Sequence, residues 1–166
     1  MKKQLGFTII EMLVVMGIVG IAVGIGVTFL GNNSRRSVTQ AQARFSSDIN
    51  RVRTLVQRYN VSYELNIASD KKSYTLTPKN TVNTTVANVP VITGAFSDGI
   101  TIKTLSTATF PAKIYSAPFG RFGDGGTPAC FEMVGNEDYR AVISLVGVTG
   151  KVISRNVVKS TTSGCS

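Results

Sequence analysis

The sequence predicts an α+β protein, with a long N-terminal helix packed on a mostly antiparallel β-sheet head. Three observations carry this. Residues 7–30 form an almost unbroken apolar run, and residues 34–59 repeat apolar side chains at helical spacing. From residue 61 onward the pattern changes to short alternating segments separated by turn signals. About 135 of the 166 residues follow the apolar run, enough for one domain with a core of its own but not for two.

The first element is the run from Phe7 to Leu30, preceded by a short leader, residues 1–6, that carries Lys2 and Lys3 and ends at Gly6. Twenty-four residues at about 1.5 Å each make a helix of roughly 36 Å, enough to cross a hydrocarbon core of about 30 Å. The run therefore reads as a transmembrane helix. The two lysines ahead of it place the N-terminus in the cytoplasm and the rest of the chain outside. The expected location is a single-pass protein of the inner (cytoplasmic) membrane, in contact with its lipid.

Glu11 is the exception in this run. A carboxylate within a membrane helix costs about 2.5 kcal/mol or more, so it calls for a partner or a function. No Lys or Arg lies between Phe7 and Leu30 to serve as one. Cleavage after Gly6 would create a cation, the new α-amino group of Phe7, one helical turn from Glu11 or within reach of the Glu11 of a neighbouring chain. The simpler reading is a signal-anchor whose Glu11 snorkels into the headgroups. Gly17, Gly20 and Gly24 fall near one helical face and would permit close approach of another helix, although glycine is also common in membrane helices generally.

Residues 31–59 are expected to continue the same helix. Gly31-Asn32-Asn33-Ser34 looks like a break, but Val38, Phe45, Val52 and Tyr59 recur every seven residues, with Gln42, Ile49 and Val56 between them. That is the apolar stripe of an amphipathic helix from about Ser34 to Tyr59. Arg44, Arg51 and Arg58 repeat at the same interval beside it, and Arg35, Arg36 and Arg53 add charge that only Asp48 offsets within this helix. Such a line reads as a solvated basic face, as a contact for acidic faces of neighbouring chains, or as one for anionic headgroups.

Residues 60–166 form the expected head. Val61 to Ile67 and Tyr74 to Thr77 alternate about an Asp70-Lys71-Lys72 turn, a β-hairpin signal. Thr77 to Ser97, with Pro78 and Pro90, reads as irregular or edge structure. Short strands follow at residues 100–105, 113–116, 130–134, 141–146 and 151–158, separated by turn signals at Asp98-Gly99, Gly120 to Gly126, Asn136-Glu137-Asp138 and Thr149-Gly150.

Composition narrows the chemistry. The formal charge is +9, from 18 basic and 9 acidic residues, and there is no His. Without His the commonest general base and metal ligand is absent, so the inventory points away from an enzyme and from a cofactor. Cys130 and Cys165 lie outside the apolar run, and an even count in an exported chain favours a disulfide over two free thiols. Glu137 with Asp138, or Asp98 and Asp124, could be imagined on calcium. None forms the dense alternating-acid loop such a site needs, so no metal is expected. Gly123-Asp124-Gly125-Gly126 lacks the Lys-Ser/Thr of a phosphate loop.

Basic residues, then Gly6-Phe7-Thr8-Ile9-Ile10-Glu11-Met12-Leu13, then a long apolar run, resemble the N-terminal signature of type IV pilins and type II secretion pseudopilins. The resemblance implies that a prepilin peptidase cuts between Gly6 and Phe7 and methylates the Phe7 amine. It implies that Glu11 pairs with that amine on an adjacent subunit, and that the partners are other pilin or pseudopilin subunits in a pilus or pseudopilus in the periplasm or at the cell surface. Many members carry a Pro partway along this helix and this chain does not. The Pro-Phe-Gly-Arg-Phe-Gly stretch around Gly120 and the closing hairpin at Gly150-Lys151-Val152 resemble the minor H-, T- and U-type branch. Some members of that branch bind DNA through a basic Gly-Arg-x-Arg tail. Here the matching place reads Gly150-Lys151-Val152-Ile153-Ser154-Arg155, which departs from it. In one continuous strand, Lys151, Arg155 and Lys159 would share a side, a row that could hold phosphates without reading sequence. Two functions follow as expectations: a minor structural subunit, or one that also binds DNA during natural transformation.

Overall fold

A computed structural model describes residues 8–30, 33–80, 82, 84–97, 99–104, 112–115, 129–146 and 150–161, with the side chains of 25–30 and 112–115 left aside. The chain divides into two units, residues 1–33 and 34–166. It has the α+β, pilin-like arrangement the sequence predicts: an N-terminal helix, a second helix, and antiparallel sheets.

The first unit contains helix α1, Ile9–Leu30. It starts where Thr8 can serve it: the Glu11 amide donates to the Thr8 carbonyl at 3.1 Å and to Thr8 Oγ1 at 3.4 Å. Thr8-Ile9-Ile10-Glu11 has the spacing of a capping box, in which a hydroxyl satisfies one of the helix's orphan donors. Every described side chain from Thr8 to Gly24 is exposed, Ile9 by 84% and Ile21 by 67%. A helix apolar on all sides has no solvated face, and its apolar surface has to be covered by something other than water. Among the described residues, no helix is long and apolar enough to cross a membrane.

Helix α2 runs from Asn33 to Tyr59 and belongs, from Ser34, to the second unit. The expected continuity with α1 turns on Gly31 and Asn32, which lie outside the described residues. Its buried face is Val38, Ala41, Gln42, Phe45, Ile49, Val52 and Val56, the predicted stripe with Ala41 added and Tyr59 removed. Tyr59 is 40% exposed because the helix ends there, with Asn60 in the left-handed region at φ 52°.

Among the described residues, nine strands form two antiparallel sheets. They are β1 (Ser62–Ile67), β2 (Ser73–Lys79), β3 (Ile92–Ala95), β4 (Thr101–Thr104), β5 (Ala112–Tyr115), β6 (Ala129–Val134), β7 (Tyr139–Val146), β8 (Lys151–Ser154) and β9 (Val158–Lys159). The first sheet has the order β3-β2-β1-β5. The second has the order β4-β6-β7-β8, with β9 also on β7. The β1–β2 hairpin is the predicted one, its turn held by the Lys72 amide on Asp70 Oδ1 at 2.9 Å. The stretch read as irregular or edge structure is more ordered than expected. Strand β2 continues through Pro78 to Lys79, and β3 is an edge strand that pairs Gly94 with Tyr74. β3 pairs only with Ser73 to Leu76; beyond it Val86 donates its amide to the Pro78 carbonyl at 3.2 Å, so the proline forgoes only the return bond of an edge position.

The expected single strand at residues 151–158 is divided. Ser154 lies opposite Ile143 and Val158 opposite Arg140, four steps on one side against three on the other. One extra residue is a bulge, and it reverses which face the following side chains occupy.

One core joins α2 to both sheets. Phe45 stands edge-on to Tyr74 of the first sheet (4.9 Å between centroids, 89°) and to Phe131 of the second (5.4 Å, 66°). Leu65, Leu76, Met133, Ile143 and Leu145 are fully buried around them. At about 1.5–3 kcal/mol per large apolar side chain, these contacts dominate the stability of the second unit.

Candidate assembly surfaces

Glu11 sits in the first turn of α1 and is exposed. The helix N-terminus carries partial positive charge, which favours a carboxylate there, but a helix end is a weak substitute for a cation. The cleavage junction itself, Gly6 and Phe7, lies outside the described residues, as does the leader. A Cβ built on Gly17, Gly20 or Gly24 would meet nothing within 4 Å, so packing within this unit does not require glycine at those places.

The residues proposed from sequence for a phosphate row do not share a face. Lys151 lies opposite Val146, on the side of β7 away from Ala141, Ile143 and Leu145. Lys159 lies opposite Tyr139, on the other side by strand alternation, and its Nζ stands 5.8 Å from the Tyr139 ring centre. Arg155 follows the end of β8, exposed, with its backbone amide bonded to the Val142 carbonyl at 2.9 Å. The bulge is the reason: the expected alternation held only for an uninterrupted strand.

That bulge is fastened from the helix. Gln42, one of two buried polar residues among those described, donates from Nε2 to the Arg155 carbonyl at 2.7 Å and the Val142 carbonyl at 3.2 Å. The sequence placed Gln42 within an apolar stripe and offered no sign of this role. The other buried polar group is Glu132, 1% exposed, bound by Arg140 Nη1 at 3.2 Å from both carboxylate oxygens. Strand register explains the pair, since Glu132 faces Val142 and Val134 faces Arg140, making them diagonal neighbours on one face. An acid inside the apolar run Ala-Cys-Phe-Glu-Met-Val was the available signal.

Cys130 is buried on the same strand, with the Ser144 hydroxyl donating to its Sγ at 3.9 Å, and there are no free cysteines among the described residues. Its expected partner Cys165 lies outside the described residues. Glu137 and Asp138 occupy a turn at φ 58° and 59°, and Asp98 and Asp124 lie outside the described residues. Among the described residues, no group of three His, Cys, Asp or Glu could hold a metal.

The arginine line on α2 is a real surface. Arg44, Arg51 and Arg58 are all exposed. Arg44 Nη1 donates to the Ala95 carbonyl at the free edge of β3, at 3.3 Å. Asp48, the only acid of the helix, is engaged by the Tyr74 hydroxyl at 2.5 Å. Burial, then the hydrogen bond and charge of Asp48, raise the Tyr74 pKa well above its ordinary value. Burial also pushes Tyr63 up to about 12, against the opposing effect of Arg51, while its hydroxyl donates to the Pro90 carbonyl at 2.7 Å.

Residues 1–27 match the family described as the prokaryotic N-terminal methylation motif, the signature of type IV pilins and pseudopilins. The match covers the leader, the cleavage junction, Glu11 and most of α1. No curated protein and no solved structure matches the chain.

Proposed function

We propose that this chain is a minor pilin-like subunit, cut between Gly6 and Phe7, methylated on the Phe7 amine, and drawn from the membrane into a pilus or pseudopilus. The observation that carries the reading is the methylation motif over residues 1–27, with Glu11 as the one charge on an apolar helix whose described side chains, to Gly24, are exposed. Before assembly, α1 serves as a membrane anchor. The span rests on the apolar run of residues 7–30 in the sequence, since among the described residues no helix is long and apolar enough to cross a membrane. After assembly, the same surface is covered by the corresponding helices of neighbours.

Glu11 directs the exchange. An unpaired carboxylate at membrane depth costs on the order of 2.5–3.5 kcal/mol, and the Phe7 amine of an adjacent subunit relieves that cost only once the leader is gone. Cleavage thereby converts an anchor into a building block. The head is structural rather than catalytic. A Cys130–Cys165 bridge would tie its C-terminal tail to β6, closing a loop of about 36 residues for roughly 3–4 kcal/mol. The alternative of DNA capture during transformation has less to stand on, because β8 and β9 set Lys151 and Lys159 on opposite faces.

The test is mass spectrometry of the native protein together with sheared filaments from its host. The expected result is a chain beginning at methylated Phe7, with Glu11→Ala cleaved normally but lost from the filament fraction. A retained leader, or unchanged incorporation of Glu11→Ala, would overturn the proposal.

A further inference from the structure

We infer that the flank of α2 bearing Arg44, Arg51 and Arg58 receives an acidic helix from a different pilin-like subunit. This rests on the filament-subunit reading above and specifies which kind of neighbour that reading requires. The three arginines are exposed, and none has an ion-pair partner among the described residues. They border the first sheet: Arg44 reaches Ala95 at the end of β3, and Arg51 acts on the Tyr63 hydroxyl of β1. Beside Arg44 is an open hollow of about 220 Å³ whose polar lining includes Ser37, Gln40 and Ser97, groups able to donate hydrogen bonds to a carboxylate.

Spacing selects the occupant. Seven residues separate successive arginines, so their stems are about 10.5 Å apart along the axis and drift by about 20° per heptad. A second helix crossing at about 20° follows that drift, and an acid every seven residues on it would meet each guanidinium, which binds carboxylates bidentately. A nucleic-acid strand in a duplex presents a phosphate about every 3.4 Å of rise, leaving about two of every three unmatched by such a line.

Charge excludes a second copy of the chain. Like arginine lines repel, and neither helix of this chain can supply the complement, since α1 contains only Glu11 and α2 only Asp48 as acids. Asp48, Glu64 and Glu132 are already engaged by Tyr74, Lys79 and Arg140. With 18 basic residues against 9 acidic ones, the subunit is suited to sit among more acidic neighbours rather than to polymerise alone.

The experiment uses the full-length chain in its filament-forming host. A photo-crosslinking benzoylphenylalanine replaces Ser47 or Thr54, which lie between the arginines on the same flank. The adducts in purified filaments are then sequenced. The expected adduct is a helical segment of a different pilin-like chain carrying Asp or Glu at seven-residue intervals. In parallel, Arg44→Glu/Arg51→Glu/Arg58→Glu should lower incorporation about tenfold with leader cleavage unchanged, while the triple Lys variant retains most of it. An adduct to a second copy, an adduct to DNA, or wild-type incorporation of the Glu variant overturns the inference. If cleavage and Glu11-dependent incorporation persist in that case, the subunit reading stands and only the docking surface falls. If the leader is retained or incorporation ignores Glu11, the subunit reading itself fails.

Discussion

Gly94→Ala is the most incisive test of how the head is held together. Gly94 lies directly opposite Tyr74 across the β2–β3 pair, and a Cβ there would overlap the Cζ, hydroxyl and Cε1 of that ring. Tyr74 has little freedom to yield. It is 1% exposed, edge-on to Phe45 at 4.9 Å, against Phe96 at 5.4 Å, and its hydroxyl bonds Asp48 at 2.5 Å. Overpacking of this kind costs about 1–3 kcal/mol. Displacing the ring also forfeits a hydrogen bond to a charged acceptor, about 1.5–3 kcal/mol, and part of an aromatic contact of about 0.5–1.5 kcal/mol. Partial relaxation offsets some of this, so the expected loss is about 3 kcal/mol, or roughly 10 °C in Tm for a head of this size. Thermal melts of the detergent-solubilised full chain, followed by near-UV circular dichroism, measure it. In a Tyr74→Leu background the same substitution should cost less than about 1 kcal/mol, because its opponent is gone. A Gly94→Ala chain within about 0.5 kcal/mol of wild type, or equal costs in both backgrounds, would refute the packing argument.

Two further outcomes follow from the same core. Gln42→Leu removes the Nε2 donor shared by the two carbonyls, taking this bond from Arg155 and leaving Val142 with the Arg155 amide, and should destabilise the head by about 1–3 kcal/mol. Hydrogen exchange at the Arg155 amide should speed up more than exchange in the β1–β2 hairpin. Equal effects at the two places would mean that Gln42 is only filling space. Alkaline stability provides a second check. Tyr63 has its folded pKa raised to about 12 from an ordinary 10, so the folded head holds that proton more tightly than the unfolded chain does. Its contribution is complete below about pH 10 and is lost as pH rises toward 12; Tyr63→Phe should flatten that part of the urea-denaturation profile. Unchanged steepness in Tyr63→Phe would assign the loss to other groups, Tyr74 first among them because its pKa is raised in the same direction.

Much of the molecule was legible in the chain itself. The N-terminal signature is linear: Gly6, Phe7 and Glu11 have meaning through their spacing and through the apolar run that follows. α2 was readable because a helix buries residues three and four apart, and the β1–β2 hairpin because its turn and its alternation are local. The predicted strands at 130–134 and 141–146 fell within β6 and β7 for the same reason.

What stayed hidden depends on pairings between distant residues. The division into two sheets bridged by Phe45, the Glu132–Arg140 pair, and the Gln42 clasp on Val142 and Arg155 each join segments whose proximity no local pattern announces. The bulge between Ser154 and Val158 is the sharpest case. Side chains in a strand alternate with a period of two, so one extra residue moves everything after it to the opposite face. Whether Lys151 and Lys159 form one row was therefore decided by the register of β8 and β9 against β7. The order of amino acids carried the N-terminal signature, and tertiary pairing determined which charges of the head stand together.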